Sequence, residues 1–147
     1  MKILDTNAVD YIFDNNIILS DIDIYYATDD LFDEIEVTAF VKNKRIPKSI
    51  QNISNSRLFS ESAYYINYKE LLNKYGHRSF SNMKGVADIS VLAAVKTVLV
   101  KINTPPTLPG FSEKVEIYTE DGNLVSKINR EFNDRDLVVI HNLSDLL

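Results

Sequence analysis

The chain opens on an apolar run, Ile3-Leu4, that breaks into Asp5-Thr6-Asn7 before apolar residues resume at helical spacing. Lys2 to Asp5 reads as a short buried strand, and Ala8 to Phe13 as a helix entered through Asp5, Thr6 or Asn7. Residues 22–27, IDIYYA, alternate and are rich in β-formers, which predicts a second strand. Thr28-Asp29-Asp30 supplies N-cap candidates for a helix carrying Leu31, Phe32 and Ile35, and acids in its first turn suit the helix dipole. From Asn43 to Arg57 no period is sustained, and Pro47 among several Asn and Ser residues reads as loop. Ser60 to Tyr75 predicts a helix with Ala63, Tyr64, Ile66, Tyr68, Leu71, Leu72 and Tyr75 on its apolar side and Gly76 as its C′ residue.

Residues 85–101, GVADISVLAAVKTVLVK, are apolar around most of the circumference, the pattern of a helix packed on several sides. Prolines exclude helix or central strand from residues 103–110. Val115 to Thr119 reads as a strand ending at Glu120-Asp121-Gly122, Leu124 to Phe132 as a helix, and Asp136 to Ile140 as containing a last strand. Strands alternating with helices predict an α/β fold: a three-layer α/β/α sandwich around a mainly parallel sheet. Without repeats, low-complexity stretches or an internal boundary, residues 1–147 read as a single domain.

Composition narrows the chemistry. With no cysteine and two histidines, His77 and His141, thiol catalysis and zinc–thiolate sites are excluded, and a histidine-rich metal centre is disfavoured. No apolar run approaches the roughly 20 residues needed to cross a bilayer, and the N-terminus lacks a signal-peptide pattern. The expectation is a cytoplasmic protein with no membrane partner.

The net charge of −5 is unevenly spread. Residues 1–36 hold ten acids against one lysine, whereas residues 37–60 hold Lys42, Lys44, Arg45, Lys48 and Arg57 and no acid. An acidic segment thus abuts a basic one, which on charge alone describes two solvated faces.

In open parallel sheets, functional groups gather beyond the carboxyl ends of the strands. Two predicted strands end in an acid there, KILD at Asp5 and VEIYTED at Asp121. If the two strands are neighbours, both carboxylates face one crevice. Either acid can equally cap the helix that follows it. Glu34 lies in the helix after the second strand, within a run of acids. Asp88 stands between Ala87 and Ile89 in the apolar helix, where a charge is costly unless it is paired or binds a cation.

These stretches together resemble the PIN-domain nucleases over nearly the whole chain. The resemblance rests on ILDTN at residues 3–7, YATDDLFDEI at 26–35, ADISVLAAV at 87–95 and TEDGNL at 119–124. It implies a PIN-like single domain with Asp5, Glu34, Asp88 and Asp121 as catalytic, metal-holding acids, and Mg2+ or Mn2+ as cofactor. Asn7 and Thr119 would then be hydrogen-bonding groups behind the ligands. The implied activity is endoribonuclease hydrolysis of RNA phosphodiester bonds. The implied setting is the toxin of a toxin–antitoxin pair, with an antitoxin protein as partner and a homodimer as assembly.

Such chemistry suits an all-oxygen site, because Mg2+ and Mn2+ prefer carboxylate and water ligands. An acidic crevice also repels RNA, so bases must offset it. Lys42, Lys44, Arg45 and Lys48 after the Glu34 helix, and Arg78 and Lys84 before Asp88, are the expected phosphate contacts. Tyr64 and Tyr65 are candidates for stacking on unpaired bases, although their helical spacing favours a core role. Two alternatives remain: a PIN-type RNA-processing nuclease, and a PIN-like module that binds RNA or protein without cleaving.

Overall fold

A computed structural model describes residues 1–75, 84–103, 114–133, 136–140 and 143, with backbone only at 84–87. Five strands form one parallel sheet: β1 (Lys2–Leu4), β2 (Tyr25–Ala27), β3 (Ile50–Asn52), β4 (Val115–Tyr118) and β5 (Leu137–Ile140). The helices between them are α1 (Thr6–Asp14), α2 (Asp29–Val41), α3 (Glu61–Tyr75), α4 (Lys84–Ile102) and α5 (Gly122–Glu131), with a short 3-10 turn at Ile53–Asn55.

Neighbouring residues in a strand point to opposite faces, so Ile3 and Leu4, both fully buried, require cover on both sides of the sheet. Ile117 and Tyr118 repeat the pattern on β4. The helices supply that cover, and the chain is an α/β sandwich. α1 buries Ala8, Val9, Ile12 and Phe13, and α2 buries Leu31, Ile35 and Ala39 at intervals of four. α4 is buried around its circumference, from Ile89 through Leu92, Val95 and Val98 to Ile102. α3 packs along α4, which also reaches α2 and β4.

Sheet order is β3-β2-β1-β4-β5. The chain steps outward from β1 to β3 on one side, then crosses back to place β4 on the other side of β1. The reversal lies between β1 and β4, where open α/β sheets leave a crevice at their carboxyl ends.

Three expectations need correction. Residues 43–57 are not all loop, because β3 pairs in parallel with β2 through Tyr25↔Ile50, Tyr26↔Gln51 and Ala27↔Asn52. This edge strand is short and polar after Ile50, so it carries no period of its own. The second strand begins only at Tyr25, leaving Ile22 91% exposed despite the alternation. Ile66 is exposed rather than on the apolar side of α3, which buries Tyr64 and Leu71. The expected C′ residue Gly76 and the Pro-rich stretch from residue 104 lie outside the described residues.

α1 and α2 each end in an asparagine with positive φ, Asn16 at 49° and Asn43 at 52°. In each case the next amide turns back to the helix, Ile17 N to Ile12 O and Lys44 N to Ala39 O. Asparagine tolerates this left-handed geometry better than most residues and closes the helix.

Candidate metal-binding carboxylate site

Asp5 follows β1 directly and stands at the N-cap position of α1 in extended conformation, φ −90° and ψ 164°. Its side chain does not cap the helix in the usual way. Oδ2 instead accepts a 2.8 Å hydrogen bond from the Thr119 hydroxyl. The backbone carries the turn: Asp5 N donates to Tyr118 O at 3.0 Å, and Asp5 O accepts from the Ala8 and Val9 amides. The ladder explains the meeting. β1 and β4 pair Leu4 with Tyr118, so the next step sets Asp5 beside Thr119.

Asp121 is both a cap and a neighbour of this site. Its Oδ1 accepts from the Asn123 and Leu124 amides at 2.9 and 3.4 Å, which caps α5. Its own amide donates to the Thr119 hydroxyl at 3.0 Å. One buried hydroxyl therefore fixes both the Asp5 carboxylate and the turn that presents Asp121.

Asp88 projects from α4 and is 8% exposed. It forms a 3.4 Å ion pair with Lys127 of α5. Glu34 is exposed on α2 and accepts a 2.9 Å hydrogen bond from the hydroxyl of Thr6, the residue after Asp5. In the acidic run of α2, Asp29 bonds Asn52 instead. Burial and the charges of Asp29 and Asp33 push the Asp30 carboxyl up. Asn7 is exposed on α1, and its side chain makes no hydrogen bond among the described residues.

Asp5 bears the electrostatic consequence. Burial, opposed by the Thr119 and Thr6 hydrogen bonds and reinforced by the charges of Asp88 and Asp121, pushes its carboxyl up to about 6. The ordering matters. Desolvation is the main cause, and the like charges of Asp88 on α4 and Asp121 at the cap of α5 add to it.

Among the described residues, no three His, Cys, Asp or Glu side chains form a group that can hold a metal ion. One oxygen of Asp121 is committed to the α5 cap, and Asp88 is shared with Lys127. The donor chemistry nevertheless suits a hydrated hard cation: a buried carboxylate pushed up mainly by desolvation, with the charges of Asp88 and Asp121 adding to it. Asp5 would hold such an ion with Asp88 and Asp121 reaching it through water.

The basic residues are placed differently from expectation. α2 starts at the carboxyl edge of the sheet and runs away from it. Lys42, at its C-cap, lies about 12 Å along the axis from Glu34. There Lys42 pairs with Asp14 and Asp10 of α1 at 2.6 and 3.6 Å, and Lys44 bonds Asn16. Arg45 and Lys48 are exposed on the segment leading into β3, at the same amino edge. The structure does not bring these four to the carboxylates. Arg78 and the side chain of Lys84 lie outside the described residues. Of the tyrosines, Tyr64 is buried and Tyr65 is 59% exposed.

Sequence reasoning missed two features. Lys127 had a faint signal: it sits between Leu124 and Ile128, the buried residues of α5, and so flanks the face turned inward. A buried hydroxyl chain had less. Tyr64 donates to Ser90 at 3.3 Å, and Ser90 bonds Thr28, tying α3 and α4 to the start of α2. Ser90 is two residues from Asp88, so this chain fixes the segment that carries it.

No family model, characterised protein or solved structure matches the chain.

Proposed function

We propose that the protein is a metal-dependent endoribonuclease of PIN type that hydrolyses RNA phosphodiester bonds. The observation that carries this reading is Asp5. It is a buried carboxylate at the reversal point of a parallel sheet, pushed up to about 6 by burial together with Asp88 and Asp121. Burying the Asp5 carboxylate near other acids is costly, and a shared cation would offset that cost.

A bound Mg2+ or Mn2+ supplies an activated water and neutralises charge on the phosphate. The chain's own residues do the rest. Asp5 would hold the ion, with Asp88 and Asp121 through water, and Thr119 orients Asp5 by donating to Oδ2. Glu34, which accepts a hydrogen bond from Thr6, would take the proton from the attacking water. Lys127 offsets acidic charge and offers an ammonium to a phosphate. The resemblance adds an antitoxin partner and a homodimer to this reading.

RNA cleavage with Mn2+ tests it, comparing wild type with Asp5→Asn and Asp88→Asn. Wild type should cleave and each variant should lose at least about a hundredfold, the scale of removing a group used in the transition state. Equal cleavage by the variants sinks the assignment. The pairing of Asp88 with Lys127 and the capping by Asp121 favour a second reading, a PIN-like RNA-binding module without catalysis. That reading expects no cleavage with either metal and RNA binding indifferent to Asp5→Asn.

A further inference from the structure

On α2, Val37, Phe40 and Val41 are 64%, 87% and 76% exposed. Their spacing puts all three on one side of the helix, apart from the buried face of Leu31, Ile35 and Ala39. Adjacent apolar side chains left in water mark a surface that a partner covers. Ile18, 95% exposed, adds another at the same end of α2, since it closely follows Asn16, which Lys44 bonds.

Charge is divided along the same helix. Its first half carries Asp29, Asp30, Asp33, Glu34 and Glu36, and the segment after it carries Arg45 and Lys48. Among the described residues, Asp33, Glu36, Arg45 and Lys48 make no ion pair.

We infer that two copies of the chain pair through α2, antiparallel across a twofold axis, and that each supplies Arg45 and Lys48 to the crevice mouth of the other. An axis through the middle of the exposed stripe, near Ala39, sets Val37 of one subunit against Val41 of the partner subunit. The same axis lays the acidic start of one α2 along the basic end of the other. Asp33 stands about 9 Å before the midpoint. Arg45 of the partner subunit comes from beyond it, just past the Asn43 turn that closes the helix. A parallel pair would instead stack acid on acid.

The occupant is a second copy because one surface carries both halves of the match. An apolar centre with a charged rim is also the make-up of a specific interface.

The second half of the inference rests on the nuclease reading and deepens it. Within one chain, Arg45 and Lys48 stay at the amino edge, away from the carboxylates. Across the twofold axis they approach Glu34, which follows Asp33 and accepts from Thr6 beside Asp5. RNA phosphates entering the crevice then meet cationic groups of the partner subunit.

Sedimentation equilibrium of the full chain without RNA reads the pairing. Wild type should show twice the 16.8 kDa chain mass, and Phe40→Ser should shift toward the single mass. Asp33→Lys and Arg45→Glu should each weaken pairing at least about fivefold, because each sets like charges together at both ends of the interface. Mixed in equal amounts, those two variants should pair as wild type does, since every contact then joins opposite charges. All three side chains are exposed, and circular dichroism checks that the folds match. A monomeric wild type, a dimer unmoved by Phe40→Ser, or a mixture no better paired than its parts overturns the inference.

Anisotropy with an uncleavable 2′-O-methyl RNA reads the shared crevice. Phe40→Ser should bind at least about tenfold more weakly than wild type, the scale of losing phosphate contacts. Equal binding overturns the supply of bases by the partner. A wild type that pairs yet binds no RNA sinks the nuclease reading and leaves the α2 pairing standing.

Discussion

Thr119 and Asp5 stand at the ends of adjacent parallel strands, and the Thr119 hydroxyl donates a 2.8 Å hydrogen bond to the buried Asp5 carboxylate. The same oxygen accepts from the Asp121 amide, so one side chain organises two of the four acids. Thr119→Val should therefore destabilise the fold by about 1–3 kcal/mol, the cost of leaving a buried acceptor without its donor. Thr119→Ser should recover most of it. Urea denaturation of the three proteins at neutral pH reads the difference, and a valine variant as stable as wild type would remove Thr119 from this role.

Asp5 makes stability depend on pH in a defined direction. Its carboxyl rises from an ordinary value of 3.8 to about 6 on folding, so the native state holds the proton more tightly than the unfolded chain. That proton linkage stabilises fully below about pH 4, and the stabilisation is lost as pH climbs through about 6. The shift corresponds to about 3 kcal/mol at neutral pH. Asp5→Asn, which carries no charge, should be the more stable protein at pH 7.5 without divalent cations and should lose that advantage at pH 4. Denaturation at the two pH values decides; a gap that does not change with pH contradicts the buried, charge-crowded Asp5.

Divalent cations should reverse the same penalty. Mn2+ binding to the native state alone raises the melting temperature by mass action, and at about 100 times Kd the gain is about 2.7 kcal/mol. Asp5→Asn and Asp88→Asn should each reduce the shift. Thermal melts with and without Mn2+ measure this without any substrate, and a shift as large in Asp5→Asn as in wild type places the ion elsewhere.

Lys127 pairs with Asp88, its Nζ lying 3.4 Å from Asp88 Oδ2, and would compete there with a bound cation. Lys127→Met removes that ammonium and keeps an unbranched side chain of similar length. The variant should be less stable without metal yet gain more from Mn2+ than wild type does. An unchanged Mn2+ response would show the pair to be structural only.

At the far end of α2, Lys42 and Lys44 engage Asp14 and Asn16 and lie away from the carboxylates. Replacing both with alanine should leave cleavage of a short RNA unchanged. A large loss of activity would restore them to the substrate path.

The local features were written in the sequence because their causes are local. Helical spacing from Ala8 to Phe13 and at Leu31, Phe32 and Ile35, with the apolar character of residues 85–101, marked three helices, since burying an apolar face requires that spacing. Asp88 stood out because an acid inside an apolar run needs a partner. What the chain could not show locally was pairing and edge. β3 is three residues long and gains its strand conformation from β2. The spread of Lys42, Lys44, Arg45 and Lys48 looked like a phosphate surface beside Glu34. The length of α2 carries the first of them about 12 Å from it. The partners of Asp5, Asp88 and Asp121 likewise came from tertiary structure, through the β1–β4 ladder and the packing of α4 and α5. Composition and period chose the elements; sheet order set Thr119 beside Asp5, because placing β4 next to β1 brings residues more than a hundred positions apart into contact.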